Sequence, residues 1–563
     1  MHYTHLYGGT AKKVLVFLFY LAILAATTMR ITPLRQIPFL LFAAFIFFAL
    51  WGPLHCFREE EAHTENGKTK KIFLFLAFAS LAFFLISRLL PFIHYGEAPL
   101  GYDTGTYLQY FSLITTTGVI EESVGSALAY ALWFPFYYMG ASGIVTIHVL
   151  HIFNQLLTLG AFFFFIRSLF PKNTSLPIAA TALFLFALSI NQFMTYWWML
   201  YKQSAAIPFL LMALGFFLRG SWLAVIFAIL GAMIHLPTAF PFAVALVLFF
   251  IASLTVKIIK GEPIGRMLLM LLLGGGIAAL TAFALLPDEF STAFAHLKRL
   301  RGFATNAAPW SVQQMKGLFI SLWIFKTNTM FYAPFALMGL LTFRSWLPQR
   351  KDMRELYLIL LASTLLVLVS FPFIYQLRFL MTLDMLMLAF AAVPVTLFIK
   401  KFLTDQLGKI VIALFAMGTL VFSAYFVWNR GPQLYPDERK ELRALQEIIK
   451  PDDYAMATDS IYTPWVFAFT GLHKTIAPGW LYWDKWDLER WTEFWVGTDN
   501  ERRHELLRMY GNNDLYLFVG WRQMLHPNLR NFIDTDTHFI KISPHIWRYT
   551  PYLPGKEALP EST

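Results

Sequence analysis

The chain has 563 residues, 57% of them hydrophobic and 14% charged, with a mean hydropathy of +0.55. That is more apolar side chain than a water-soluble core of this length buries, so lipid must serve as part of its solvent. The formal charge of +11 does not mark a nucleic-acid binder: residues 1–428 hold 29 Lys+Arg against 15 Asp+Glu, spaced between apolar runs, while 429–563 hold 16 against 19. The single cysteine, Cys56, excludes an internal disulfide, and no CxxC pair or Cys/His cluster indicates a structural metal.

In chain order, apolar stretches of about 20 residues, the length that crosses a hydrocarbon core, fall near 14–29, 37–57, 72–92, 142–166, 175–195, 204–218, 221–236, 238–256, 267–287, 328–343, 355–374, 378–399 and 409–428. The first follows Lys12 and Lys13 as a signal peptide's apolar region would, but it lacks a small-x-small cleavage site and reads as a retained anchor. Ser126–Gly140 reads as interfacial. With the N-terminus inside, nineteen Lys and Arg fall on the cytoplasmic side and nine on the other, which satisfies the positive-inside rule and puts the end of the chain outside the cytoplasm. No repeat of 20–50 residues and no paired broken helices of the transporter kind are evident.

The last 135 residues differ in kind. A charged helical stretch, Pro436–Lys450, precedes short strand-like runs at Tyr454–Thr458, Leu515–Val519 and His538–Ile542, the pattern of a small extracytoplasmic α/β domain. Trp480, Trp483, Trp486, Trp491 and Trp495 either stack on sugars or, as such residues more often do, anchor at the headgroups and fill a core.

Acidic residues expected on the outer side of the membrane region are few: Glu97, Asp103, Glu121, Glu122, Asp288 and Glu289. Asp103 opens an amphipathic helix through Tyr107, Tyr110 and Phe111, where a side-chain carboxylate caps the first turn or serves as a base; spacing does not choose between the two. Lys298, Arg299 and Arg301 crowd one outer loop against the orientation bias. They suit either an anionic phosphate ligand or anionic lipid in general. Arg378, at the mouth of its span, is a second phosphate candidate or a snorkelling side chain. His235 and Lys202 sit at span ends as possible substrate contacts, as do Tyr102 and Tyr107. His148 and His151, beside Asn154 and Gln155, fit interhelical hydrogen bonding better than metal ligation. Asp384 and Arg88 lie inside apolar runs, where an ionisable group is costly unless it is paired.

The segment Gly101-Tyr-Asp-Thr-Gly-Thr-Tyr107 resembles the first outer loop of the type C glycosyltransferase superfamily, and Tyr375-Gln-Leu-Arg-Phe-Leu-Met-Thr-Leu-Asp384 resembles its late Arg-(Tyr/Phe)-Leu pattern. A multispan core followed by an outer α/β tail is also similar to that superfamily. The resemblance implies an inverting transferase in which Asp103 is the general base on the acceptor hydroxyl, Glu97, Glu121 and Glu122 being the reserves, and in which the donor is a polyprenyl-phosphate sugar. It implies a lipid, glycan or protein acceptor and a site on the outer face of the cytoplasmic membrane. Two spans precede the one leading to Asp103, so residues 1–57 are an added hairpin, 58–428 the catalytic core and 429–563 the outer domain. Thr104 follows Asp103 where some members have a second acid, so the resemblance allows a divalent metal without indicating one, and it implies no other cofactor. The absence of a WWDYG-like segment argues against an oligosaccharyltransferase. A lipid-linked substrate transporter or flippase and a noncatalytic scaffold are the alternative functions.

Overall fold

The computed structural model describes residues 67–96, 101–117, 129–130, 133–170, 172–265, 332–341, 357, 359–364, 376–403, 406–459, 461–471, 474–478 and 486–551. The spans expected at 14–29, 37–57 and 267–287 lie outside them. Among the described residues five helices are long and apolar enough to cross a membrane: Lys70–Tyr95, Gly143–Leu169, Tyr201–Leu218, Leu236–Ile259 and Phe379–Lys400. Leu223–Ile234 and Ala416–Trp428 are apolar but shorter. The protein is therefore a helical integral membrane protein, with a small sheet toward its C-terminus.

One expected span needs correction. The stretch 175–195 is not a continuous helix but two, Thr174–Leu188 and Ile190–Trp197, meeting at 55°. Neither Pro nor Gly marks the break. Ser189 adopts extended backbone (ψ 119°) and its hydroxyl accepts the Gln192 N–H, so it starts a new helix where the old one stops. The second helix is buried along its whole length.

The described residues divide into two compact units. The first takes those within Met1–Leu90, Glu121–Leu132 and Leu150–Arg430. Its core is rich in small side chains on Lys172–Leu188 and Gln376–Phe402, among them Ala179, Ala180, Ala182, Ala389, Ala391 and Ala392, all buried. Small residues let backbones approach where lipid leaves no hydrophobic force between helices. Gly339 shows the limit, since a Cβ there would stand 2.1 Å from the Phe390 carbonyl oxygen. The hydroxyl of Thr396 donates to that of Thr181 at 2.8 Å in this interface. By contrast Phe75 and Phe78 on Lys70–Tyr95, and Val247 and Ile251 on Leu236–Ile259, are exposed. Apolar rows of this kind suit contact with lipid.

The second unit takes the described residues within Pro91–Ile120, Trp133–Val149 and Gly431–Thr563. Its five-stranded sheet has the order β2-β1-β3-β5-β4, with β1 (Tyr454–Ala457), β2 (Thr475–Ile476), β3 (Leu515–Phe518), β4 (Phe539–Ser543) and β5 (Ile546–Tyr549). β2, β1 and β3 run parallel, and β5 is antiparallel to both β3 and β4. The uninterrupted burial of Leu515-Tyr-Leu-Phe518 is that of a central strand covered on both faces. β4 is mostly exposed and carries Lys541, as a guarded edge should. Three of these strands were readable in the sequence; β2 and β5 are too short to announce themselves. Helix Pro436–Ile448 is anchored by the buried Glu438, whose carboxylate accepts from the backbone of Tyr435 at 2.7 Å, the backbone of Trp521 at 2.7 Å and the hydroxyl of Tyr462 at 2.9 Å. Trp486 and Trp491 fill the domain core, and Trp495 donates its indole N–H to the Thr458 carbonyl at 2.9 Å, so these three are structural.

Candidate active site and substrate-binding residues

Asp103 lies in the second unit. Gly101 takes positive φ (77°), a turn that L side chains resist, and releases the chain into helix Thr104–Thr117. Asp103 is the residue before that helix, half-buried, and its carbonyl accepts the Tyr107 N–H at 3.1 Å. Tyr107 and Phe111 pack on Trp133 with ring centroids 6.2 and 5.9 Å away. Tyr107 is thus buried in the packing under the helix, while Tyr102 is half-buried beside Asp103. On another side Gly105 passes so close to helix Thr463–Thr470 that a Cβ would meet the Pro464 carbonyl oxygen at 2.2 Å. The helix that presents Asp103 is therefore held by contacts to the tail, between Gly105 and Pro464, far apart in the chain, which no local pattern predicts.

The reserve acids Glu97, Glu121 and Glu122 and the cationic trio Lys298, Arg299 and Arg301 lie outside the described residues. Arg378 falls in helix Gln376–Phe402, but its side chain also lies outside them.

The first unit contains a buried polar cluster that the sequence reading only partly identified. Arg88 is fully buried, its guanidinium 3.9 Å from the Phe84 ring centroid and donating to Ser87 Oγ at 2.8 Å. Its Nε and Nη2 have no hydrogen-bond partner among the described residues. The Tyr196 hydroxyl donates to the Arg88 carbonyl at 2.8 Å, and Tyr196 stacks on His151 at 5.5 Å. One helical turn beyond His151 come Asn154 and Gln155. The Gln155 amide donates to Ser204 Oγ at 2.8 Å, while Asn154 Nδ2 and Gln155 Oε1 lack partners among the described residues. Tyr201 and Tyr130 continue the cluster, with Lys202 Nζ 5.4 Å above the Tyr130 ring. Met199, in the turn between helices Ile190–Trp197 and Tyr201–Leu218, has φ 56°, the only positive φ on a non-glycine among the described residues. An unbranched but bulky side chain there stores backbone strain of about 1–3 kcal/mol, a feature that concentrates at functional sites. Buried donors and acceptors left over in this way call for water or a polar ligand.

His148 and His151 take different partners. His148 Nδ1 bonds the Ile144 carbonyl of its own helix at 2.8 Å, and His151 sits between Tyr196 and Tyr201. His235 forms the extended link between helices Leu223–Ile234 and Leu236–Ile259 (φ −158°), and its Nδ1 lies 2.6 Å from Thr238 Oγ1. That bond is a helix-junction contact and uses one ring nitrogen.

Asp384, whose partner the sequence left unknown, is fully buried and accepts four neutral donors. Ser189 Oγ donates at 2.8 Å, Asn191 Nδ2 at 2.9 Å and Gln192 Nε2 at 2.9 Å, and the Tyr332 hydroxyl completes the set. Three of the four come from the broken helix. The carboxylate fastens that break to helix Gln376–Phe402.

These features define an integral membrane protein with a helical core, an interrupted helix and a small α/β tail. Its fold matches crystal structures of ArnT from Cupriavidus metallidurans. One, bound to undecaprenyl phosphate, aligns with a TM-score of 0.50 at 9% identity over 85% of this chain and 98% of that one. Another, in the apo state, aligns with a TM-score of 0.50 at 11% identity over 86% and 99%. No family model and no curated protein sequence matches the chain. The chain shares the fold of these ArnT structures, in line with the resemblance to type C glycosyltransferases read from its sequence.

Proposed function

We propose that the chain is an inverting glycosyltransferase that takes a sugar from a polyprenyl-phosphate carrier and delivers it to a lipid, glycan or protein acceptor on the outer face of the cytoplasmic membrane. Asp103 accepts the proton of the acceptor hydroxyl as its oxygen attacks the anomeric carbon. The bond from that carbon to the phosphate oxygen breaks on the opposite side, and polyprenyl phosphate departs as the anion. Charge develops on the leaving phosphate, so fixed cationic donors lower the barrier most. Lys298, Arg299, Arg301 and Arg378 are assigned to that phosphate. Glu97, Glu121 and Glu122 are reserve bases, and Lys202, His235, Tyr102 and Tyr107 are the remaining candidates for substrate contact. Residues 1–57 are an added hairpin, 58–428 the catalytic core and 429–563 an outer domain.

The observation that carries the reading is the buried cluster around Arg88, Asn154 and Gln155. Orphaned polar atoms inside a membrane core are expensive and are kept where a polar group is received. The undecaprenyl phosphate bound by the ArnT structure supports a polyprenyl-phosphate donor. Purified protein in lipid nanodiscs, given a radiolabelled polyprenyl-phosphate sugar and an extract of envelope glycolipids, should release polyprenyl phosphate and label an acceptor. Movement of intact donor between leaflets with no bond cleavage would identify a flippase instead, and neither result would leave a scaffold.

A further inference from the structure

The tail domain gathers three ligand-bearing side chains that no local spacing announces. His504 comes from helix Asn500–Arg508, Asp536 is the C-cap of helix Pro527–Thr535, and His538 immediately precedes β4. One ligand atom from each lies within 4.8 Å of the other two, and among the described residues no other three His, Cys, Asp or Glu side chains converge in this way. His504 Nε2 is 3.0 Å from Asp536 Oδ2, and His538 Nδ1 is 2.9 Å from Asp536 Oδ1. The two imidazole rings are only 4.5 Å apart.

We propose that His504, Asp536 and His538 bind a divalent transition ion of the zinc class, with a fourth position left for water. Two imidazoles and a carboxylate make the three-protein-ligand set of an open tetrahedral site, and nitrogen with oxygen donors favours borderline ions over calcium or magnesium. His504 Nδ1 lies 3.0 Å from the hydroxyl of the fully buried Tyr549. Donation from Nδ1 to that oxygen fixes the tautomer whose Nε2 lone pair faces the ion, which is the usual outer support of a metal-bound histidine. The Asp536 carboxylate is held in place by the amide N–H of His538, which donates to its Oδ1 at 2.9 Å.

The rival arrangement is a carboxylate that accepts one N–H from each of the two imidazoles. An ion and these two hydrogen bonds exclude each other, because a bound ion takes the lone pair of the same ring nitrogen that would otherwise carry the donated proton. The site is also reachable: His504 is almost wholly enclosed, whereas the side chains of Asp536 and His538 keep about a fifth of their surface exposed. The ion would tie helix Asn500–Arg508 to the turn that feeds the edge hairpin.

Full-length protein carrying an affinity tag without histidine should be purified in detergent, stripped with a chelator and titrated with Zn²⁺. One equivalent should remain after gel filtration, Co²⁺ in its place should give visible ligand-field bands, and metal should raise the melting temperature. His538→Gln, at the more exposed ligand, and Asp536→Asn should each weaken Zn²⁺ binding by more than tenfold and remove the Co²⁺ bands. Tyr549→Phe should weaken binding about 10–100-fold, as losses of outer support do. Less than a tenth of an equivalent bound by the wild type, or equal binding by His538→Gln and wild type, would show a hydrogen-bonded pair only and overturn the assignment.

Discussion

The hydroxyl of Ser189 lies 2.8 Å from the Asp384 carboxylate that it donates to, and the same oxygen accepts the backbone N–H of Gln192 at 3.3 Å. One side chain thus starts the second half of a broken membrane helix and pins the break to a helix almost two hundred residues away.

Removing the acceptor should be costly. Asp384→Leu leaves the donors of Ser189, Asn191, Gln192 and Tyr332 facing apolar surface, each unmet buried donor costing roughly 1–3 kcal/mol. The variant should lose several degrees of melting temperature or fail to purify as a single species by size exclusion. Asp384→Asn retains one acceptor oxygen and should fall between it and the wild type. A Leu variant as stable as wild type would remove Asp384 from the structural account.

Asp103→Asn separates base from cap. Asn caps a helix as well as Asp, so a capping role predicts near-silent behaviour. A general base is worth roughly 10²–10⁴-fold, so turnover should drop by at least that lower bound while expression and melting temperature hold. Retention of more than about a tenth of wild-type turnover would rule the residue out as the base.

Two glycines in helices should answer alanine substitution with opposite signs. At Gly105 a Cβ meets main-chain atoms of Pro464 and Trp465, which cannot move aside as a flexible side chain would, so Gly105→Ala should destabilise by about 1–3 kcal/mol. At Gly160, in helix Gly143–Leu169, nothing lies within 4 Å of the added carbon, so Gly160→Ala should be neutral or stabilise by up to about 1 kcal/mol. Thermal unfolding of the full chain in detergent reads both, and equal shifts would discard the close-packing explanation.

Orientation can be read at Met524, which is 97% exposed in the tail. With Cys56→Ser as background, Met524→Cys should react with an impermeant thiol reagent in intact cells. Labelling only after lysis would place the tail inside and withdraw the outer-face chemistry with it.

Hydropathy by itself determined that the chain lives in lipid and where the described membrane-length helices run, because spans are local and each must satisfy its own backbone. The short, strand-like runs around 454–458 and 515–519 likewise declared their strands, and the helix start at Asp103 was legible because a carboxylate there has a local signature. The break at Ser189 was not, since its cause is an acceptor on Asp384 that only packing brings near. The same holds for Arg88 with Tyr196, for Gly105 under Pro464, and for His504 beside Asp536 and His538. In each case the partner is set by how distant elements cross, and a one-dimensional pattern carries periodicity within an element but not the contacts between elements.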